Sequence, residues 1–210
     1  MAERAPTFQF ATLSQQREAD ALGMWAFLAT ELLFFGALIA GYFAYRVTYG
    51  DEFIAAARHT KVVLGTANTA VLLTSSACMA MAVHSTEQRA RGSAALWFAL
   101  TALLGLAFIA IKGFEYFEEY REQLVPALNF AVGRYGGVTQ LFFIFYFVAT
   151  GLHALHLTIG VAMIATLAVL AASDRLPSSQ PVRMIGLYWH FVDMVWIFLF
   201  PLIYLAGRNG

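Results

Sequence analysis

The chain has 210 residues, of which 60% are of the AVILMFWYC type and 12% are charged, against about 45–50% apolar and about 25% charged in ordinary soluble domains. With 13 basic and 13 acidic residues it cannot cover a soluble surface, and its net charge of zero provides no basic stripe for nucleic acid. The single cysteine, Cys78, excludes an internal disulfide and any CxxC metal or redox motif.

Residues 1–20 carry Glu3, Glu18 and Asp20 and no apolar stretch, so an extramembrane segment is expected there rather than a cleaved signal. Residues 21–210 read as one membrane domain. Five apolar runs, 21–45, 62–83, 94–111, 138–172 and 185–206, are long enough to cross a hydrocarbon core of about 30 Å as helices. They lack the short alternating pattern of barrel strands. The fold class is therefore all-α: a polytopic membrane protein with five transmembrane helices in a single helical bundle.

The fourth run would reach about 52 Å as a straight helix, so it must tilt, protrude or kink. The connections 46–61, 84–93 and 173–184 read as tight returns, the last with Pro177 and Pro181 stopping helix. The long connection, 112–137, opens with Glu115, Glu118, Glu119 and Glu122. Their spacing of three to four residues suits a helix continuing out of the membrane with a solvated acidic face. Lys and Arg divide six against seven between the two sides, which orients nothing.

Ionisable groups inside apolar runs need partners, because each costs a few kcal/mol at membrane depth. Five stand out: Glu31, His153, His156, His190 and Asp193. Glu31 lies about 15 Å into the first run and Asp193 about 12 Å into the fifth, which enters from the same side. His153 reaches a similar level. His153 and His156 are i, i+3 on one helix, as are His190 and Asp193, so contact within each pair is allowed. Bulky apolar neighbours around Glu31 favour a neutral, hydrogen-bonded carboxyl. The spans have neither Glu-x-x-His pairs nor HExxH, which argues against diiron and zinc sites. A haem bridging His153 and His190 stays open, beside polar cross-links that fix helix packing.

Three stretches carry a resemblance. Ala149-Thr150-Gly151-Leu152-His153-Ala154-Leu155-His156 and Tyr188-Trp189-His190-Phe191-Val192-Asp193-Met194-Val195-Trp196-Ile197-Phe198-Leu199-Phe200 look like the two signature stretches of haem-copper oxidase subunit III. Phe27-Leu28-Ala29-Thr30-Glu31-Leu32-Leu33-Phe34-Phe35 resembles the family's helix with its intramembrane, carbodiimide-reactive glutamate. Asn68 to Ser76 and Gly113-Phe114-Glu115-Tyr116 add to the likeness. The larger family form has seven helices; this chain resembles the bacterial five-helix form, which lacks the first two.

The resemblance implies a non-catalytic core subunit of a cytochrome c oxidase or quinol oxidase complex. It would pack mainly against subunit I, with subunit II in the same complex, and support proton uptake, subunit I stability and lipid binding. Haem and copper would sit in partner subunits, with none here and with phospholipid bound. Glu31 would be the carbodiimide-reactive carboxyl, and His153, His156, His190 and Asp193 polar packing, lipid or proton-supporting groups. The location implied is the bacterial inner membrane, with the N-terminus cytoplasmic and Gly210 periplasmic. An accessory subunit of a nitric oxide reductase and a small proton-coupled transporter are the alternatives.

Overall fold

The computed structural model describes residues 9–206, so the start of the expected N-terminal segment and Gly210 lie outside the described residues. Every regular element among them is a helix: α1 (Leu13–Thr48), α2 (Gly50–Ala57), α3 (Val62–Glu87), α4 (Arg91–Arg121), α5 (Val132–Tyr135), α6 (Gly137–Ala172) and α7 (Ser179–Tyr204). Five of these, α1, α3, α4, α6 and α7, are long and apolar enough to span a membrane.

Helix α1 starts well ahead of its apolar run, because Thr12 caps it: the hydroxyl accepts the Gln15 N–H at 3.2 Å. The connection expected as a tight return after α1 holds α2. Its Phe53 is fully buried against the rings of Tyr42 and Phe142, with centroids 5.5 and 5.7 Å away. Helix α6 is helical over 36 residues, about 54 Å, which forces it to tilt or protrude.

Helices α3, α4 and α6 end alike. Arg89, Gln123 and Asp174 take left-handed φ angles of 59°, 60° and 56°. The next amide in each case reaches five residues back, Ala90 to Ser85 at 2.9 Å, Leu124 to Glu119 at 3.0 Å and Arg175 to Leu170 at 2.8 Å. This wrap satisfies carbonyls that the helix end would otherwise orphan.

The core lies between α3, α4, α6 and α7. Trp189 of α7 is its wedge, fully buried, with its indole N–H donating to Ser75 Oγ at 3.1 Å. Glycine makes the room: a Cβ on Gly105 would lie 2.9 Å from the indole and 2.5 Å from Val161 Cγ2, and one on Gly160 would lie 2.9 Å from the indole. Helix α1 is peripheral, with 11% of its most apolar window buried against 33–44% in the other four spans. The Tyr42 hydroxyl ties it to α7 by donating to the Leu202 carbonyl at 3.0 Å. Near the other end the Gln180 side-chain amide of α7 donates to the Arg17 carbonyl at 3.4 Å, so α1 and α7 run in the same direction.

Candidate functional site

Glu31 on α1 and His156 on α6 meet, with Oε2 and Nε2 3.1 Å apart and side-chain exposures of 19% and 16%. The ring is held from two further sides: His156 Nδ1 lies 2.8 Å from the Leu152 carbonyl and Phe35 meets the ring edge-on at 5.6 Å. The Tyr188 hydroxyl donates to the His156 backbone carbonyl at 2.9 Å. A carbonyl only accepts, so the hydrogen-bond network assigns a proton to Nδ1. Nε2 therefore meets the carboxyl with a single proton between them. The link is either a carboxylic acid donating to a neutral imidazole or an imidazolium donating to a carboxylate.

Beside this link lies an open groove of about 370 Å³ between α1, α6 and α7, lined by Met24, Phe27, Ile159, Met163 and Ile185, with His156 and Tyr188 as its polar groups. Glu31 is half-buried rather than sealed, and its neighbours Leu32 and Leu33 are exposed on α1.

The other candidates go elsewhere. His153 is buried with its ring between Phe108 and Trp196, 5.6 and 5.2 Å away, and neither nitrogen has a hydrogen-bond partner among the described residues. His190 Nδ1 bonds the Ser76 hydroxyl on α3 at 2.7 Å. Asp193 is buried with both oxygens unpartnered among the described residues. Each i, i+3 pair is thus divided: His156 turns to α1 while His153 turns inward to α4 and α7. His153 and His190 face different helix interfaces. Among the described residues no group of three or more His, Cys, Asp or Glu could hold a metal ion.

One expectation fails. The acidic run after Ile111 is not a uniformly solvated face, because α4 continues to Arg121 and buries Lys112, Glu115 and Glu119. Its outward residues are Phe114, Phe117 and Tyr120, each more than half exposed. Lys112 Nζ donates to Glu115 Oε2 at 2.9 Å, Tyr146 at 2.7 Å and Tyr204 at 2.5 Å. The rings of Tyr116, Tyr146, Trp196 and Tyr204 surround the ammonium at 4.4–5.7 Å. Only Glu118 and Glu122 stay at the surface, where Lys61 meets them at 3.9 and 2.6 Å. The Glu122 hydrogen bond holds the Lys61 ammonium above its ordinary pKa of 10.5, and the charges of Glu122 and Glu118 add to this. A signal existed in the sequence: Lys112, Glu115 and Glu119 share one helical face, while aromatic residues occupy the face that solvent should take.

A sequence model of cytochrome c oxidase subunit III matches residues 6–208. A probable cytochrome c oxidase subunit 3 of Mycobacterium leprae is 32% identical over 87% of this chain and 86% of its own length. In Bacillus subtilis, a quinol oxidase subunit 3 is 31% identical (94% of this chain, 92% of that one) and a cytochrome c oxidase subunit 3 is 30% identical (90% and 87%). The matched stretch takes in all five spans, both divided i, i+3 pairs and the Glu31 link, and the chain belongs to the cytochrome c oxidase subunit III family.

Proposed function

We propose that this chain is a core, non-catalytic subunit of an aerobic haem-copper terminal oxidase. It sits in the bacterial cytoplasmic membrane with its N-terminus cytoplasmic and its C-terminus periplasmic. It packs against subunit I, with subunit II in the same complex, and the haem and copper belong to those partners. The Glu31–His156 link carries the reading, because it places a protonatable pair at 3.1 Å between a peripheral helix and the bundle. Its role is to hold one proton and to dock α1, not to make or break bonds in O2.

The residues here suit a supporting role better than a metal centre. His153 is boxed by Phe108 and Trp196, and His190 is spent on Ser76. His190 cross-links α7 to α3 through Ser76, His153 packs its ring between α4 and α7, and Asp193 is buried on the packed face of α7. The apolar groove beside His156 accommodates a phospholipid acyl chain, and the scarcely buried α1 offers an apolar face to subunit I or to lipid. Purification of the tagged chain in mild detergent tests the reading. Co-purification of a haem-copper subunit I supports it; a nitric oxide reductase subunit in its place, or proton-coupled transport by the chain alone, overturns it.

A further inference from the structure

The buried cluster at the end of α4 takes no part in the Glu31–His156 link, and its charges do not balance. Among the described residues Lys112 is the one cation inside it, and its three ammonium protons are all used, on Glu115, Tyr146 and Tyr204. Glu115 Oε2 also accepts from the Tyr204 hydroxyl at 3.1 Å. Glu119, one turn further along the same face, is 0% exposed, and both its oxygens lack a hydrogen-bond partner among the described residues. No ion pair from those residues reaches it. The groups facing the cluster are Tyr116 and Phe108 on α4, Tyr146, Thr150 and His153 on α6, and Trp196 and Tyr204 on α7. Beyond the rim stands Lys61 at the start of α3, held by Glu122.

Two buried carboxyls against one buried ammonium leave a net negative charge where water is excluded, a costly state unless a positive charge joins it. A metal ion does not fit, since Lys112 already occupies the centre and no group of three metal-capable side chains exists among the described residues. A proton fits.

We propose that Glu119 is a buried proton-binding site, filled from the water on the side of the membrane where α4 ends. Glu118 and Glu122 are its antenna: they flank Glu119 at the end of α4, are partly exposed, and lie beside Lys61. A hydronium ion gives its proton to a rim carboxylate and leaves water. The proton passes to Glu119, turning its carboxylate into a carboxylic acid and restoring the rim charge. The filled cluster then holds one ammonium, one carboxylate on Glu115 and one neutral acid on Glu119. Helices α1 and α7 run the same way and the cluster includes Tyr204, so this face is the one opposite the start of α1. The site is separate from the Glu31–His156 link and does not rest on the oxidase reading.

Infrared spectroscopy of the intact membrane complex, exchanged between H2O and D2O, tests it. Subtracting the spectrum of Glu119→Gln from that of the parent cancels every other carboxyl. The expected difference is one protonated-carboxyl C=O band that shifts to lower frequency in D2O. Glu115→Gln should lose the same band, because Glu119 then balances Lys112 as a carboxylate; should Glu119→Gln fail to assemble, Glu119→Asp, which keeps an acid there but moves its band, makes the assignment. A difference confined to ionised-carboxylate bands, or a protonated band that Glu119→Asp leaves in place, overturns the site and leaves the subunit assignment untouched.

Discussion

Replacing Gly105 by alanine tests whether the bundle is closed around Trp189. The new Cβ would lie 2.5 Å from Val161 Cγ2 and 2.9 Å from the indole, where ordinary contact begins at 3.4 Å. Val161 would have to retreat by about 1 Å, yet a valine in a helix has essentially one χ1 rotamer. The indole is equally confined, by Gly160 on one side and its bond to Ser75 on the other. Overpacking of this kind costs about 1–3 kcal/mol, which for a chain of this size lowers the melting temperature by about 2–12 °C. Thermal unfolding in detergent, followed by tryptophan near-UV circular dichroism, reads the loss. Val161→Ala destabilises by itself through a cavity, but it removes the clashing methyl. The double variant should therefore be more stable than the sum of the singles by about 1 kcal/mol or more. A Gly105→Ala protein that melts with its parent, or strictly additive singles, would refute the wedge.

Two further outcomes follow from the polar contacts. Glu31→Gln keeps an N–H to donate to His156 Nε2, whereas Glu31→Leu strands that nitrogen at a cost of about 1–3 kcal/mol; both should lose carbodiimide labelling, but only the leucine variant should melt markedly lower, and equal destabilisation would sink the assigned tautomer. Lys61 has its pKa raised by Glu122, so the pair's contribution is in place below the unfolded lysine value of 10.5 and is lost as pH rises beyond the folded value. At mildly alkaline pH an amine reagent should modify Lys61 more slowly than an unpaired lysine, and faster after Glu122→Gln by mass spectrometry; an unchanged rate would remove the pairing.

The five spans were legible because length and hydropathy alone determine them. The helix ends were not, since Arg89, Gln123 and Asp174 adopt left-handed angles without the glycine that usually announces one. Short α2 carries too few residues for a periodic signal, and Phe53 shows its inward face only once Tyr42 and Phe142 are in place. At the site, apolar surroundings singled out Glu31 and the histidines. Spacing could not choose between partners, because i, i+3 residues lie close enough to share a neighbour yet far enough apart to face different helices, as His153 and His156 do. The acidic run misled for a different reason. In a soluble helix charges face out, whereas on α4 Phe114 and Phe117 face out and Lys112 and Glu115 neutralise each other inside.

The sparse attachment of α1 also sets a schedule for biogenesis. The polar ties of this helix to the bundle wait for chain that has not yet been made: Tyr42 and Leu202 are 160 residues apart, about 8–30 s of synthesis at ordinary rates. Through that interval the first helix rests in the lipid or against the insertion machinery with Glu31 unanswered, until His156 emerges. A ribosome-bound intermediate that stops short of α6 should therefore present α1 as a detached arm, open to whichever membrane chaperone or partner subunit arrives first.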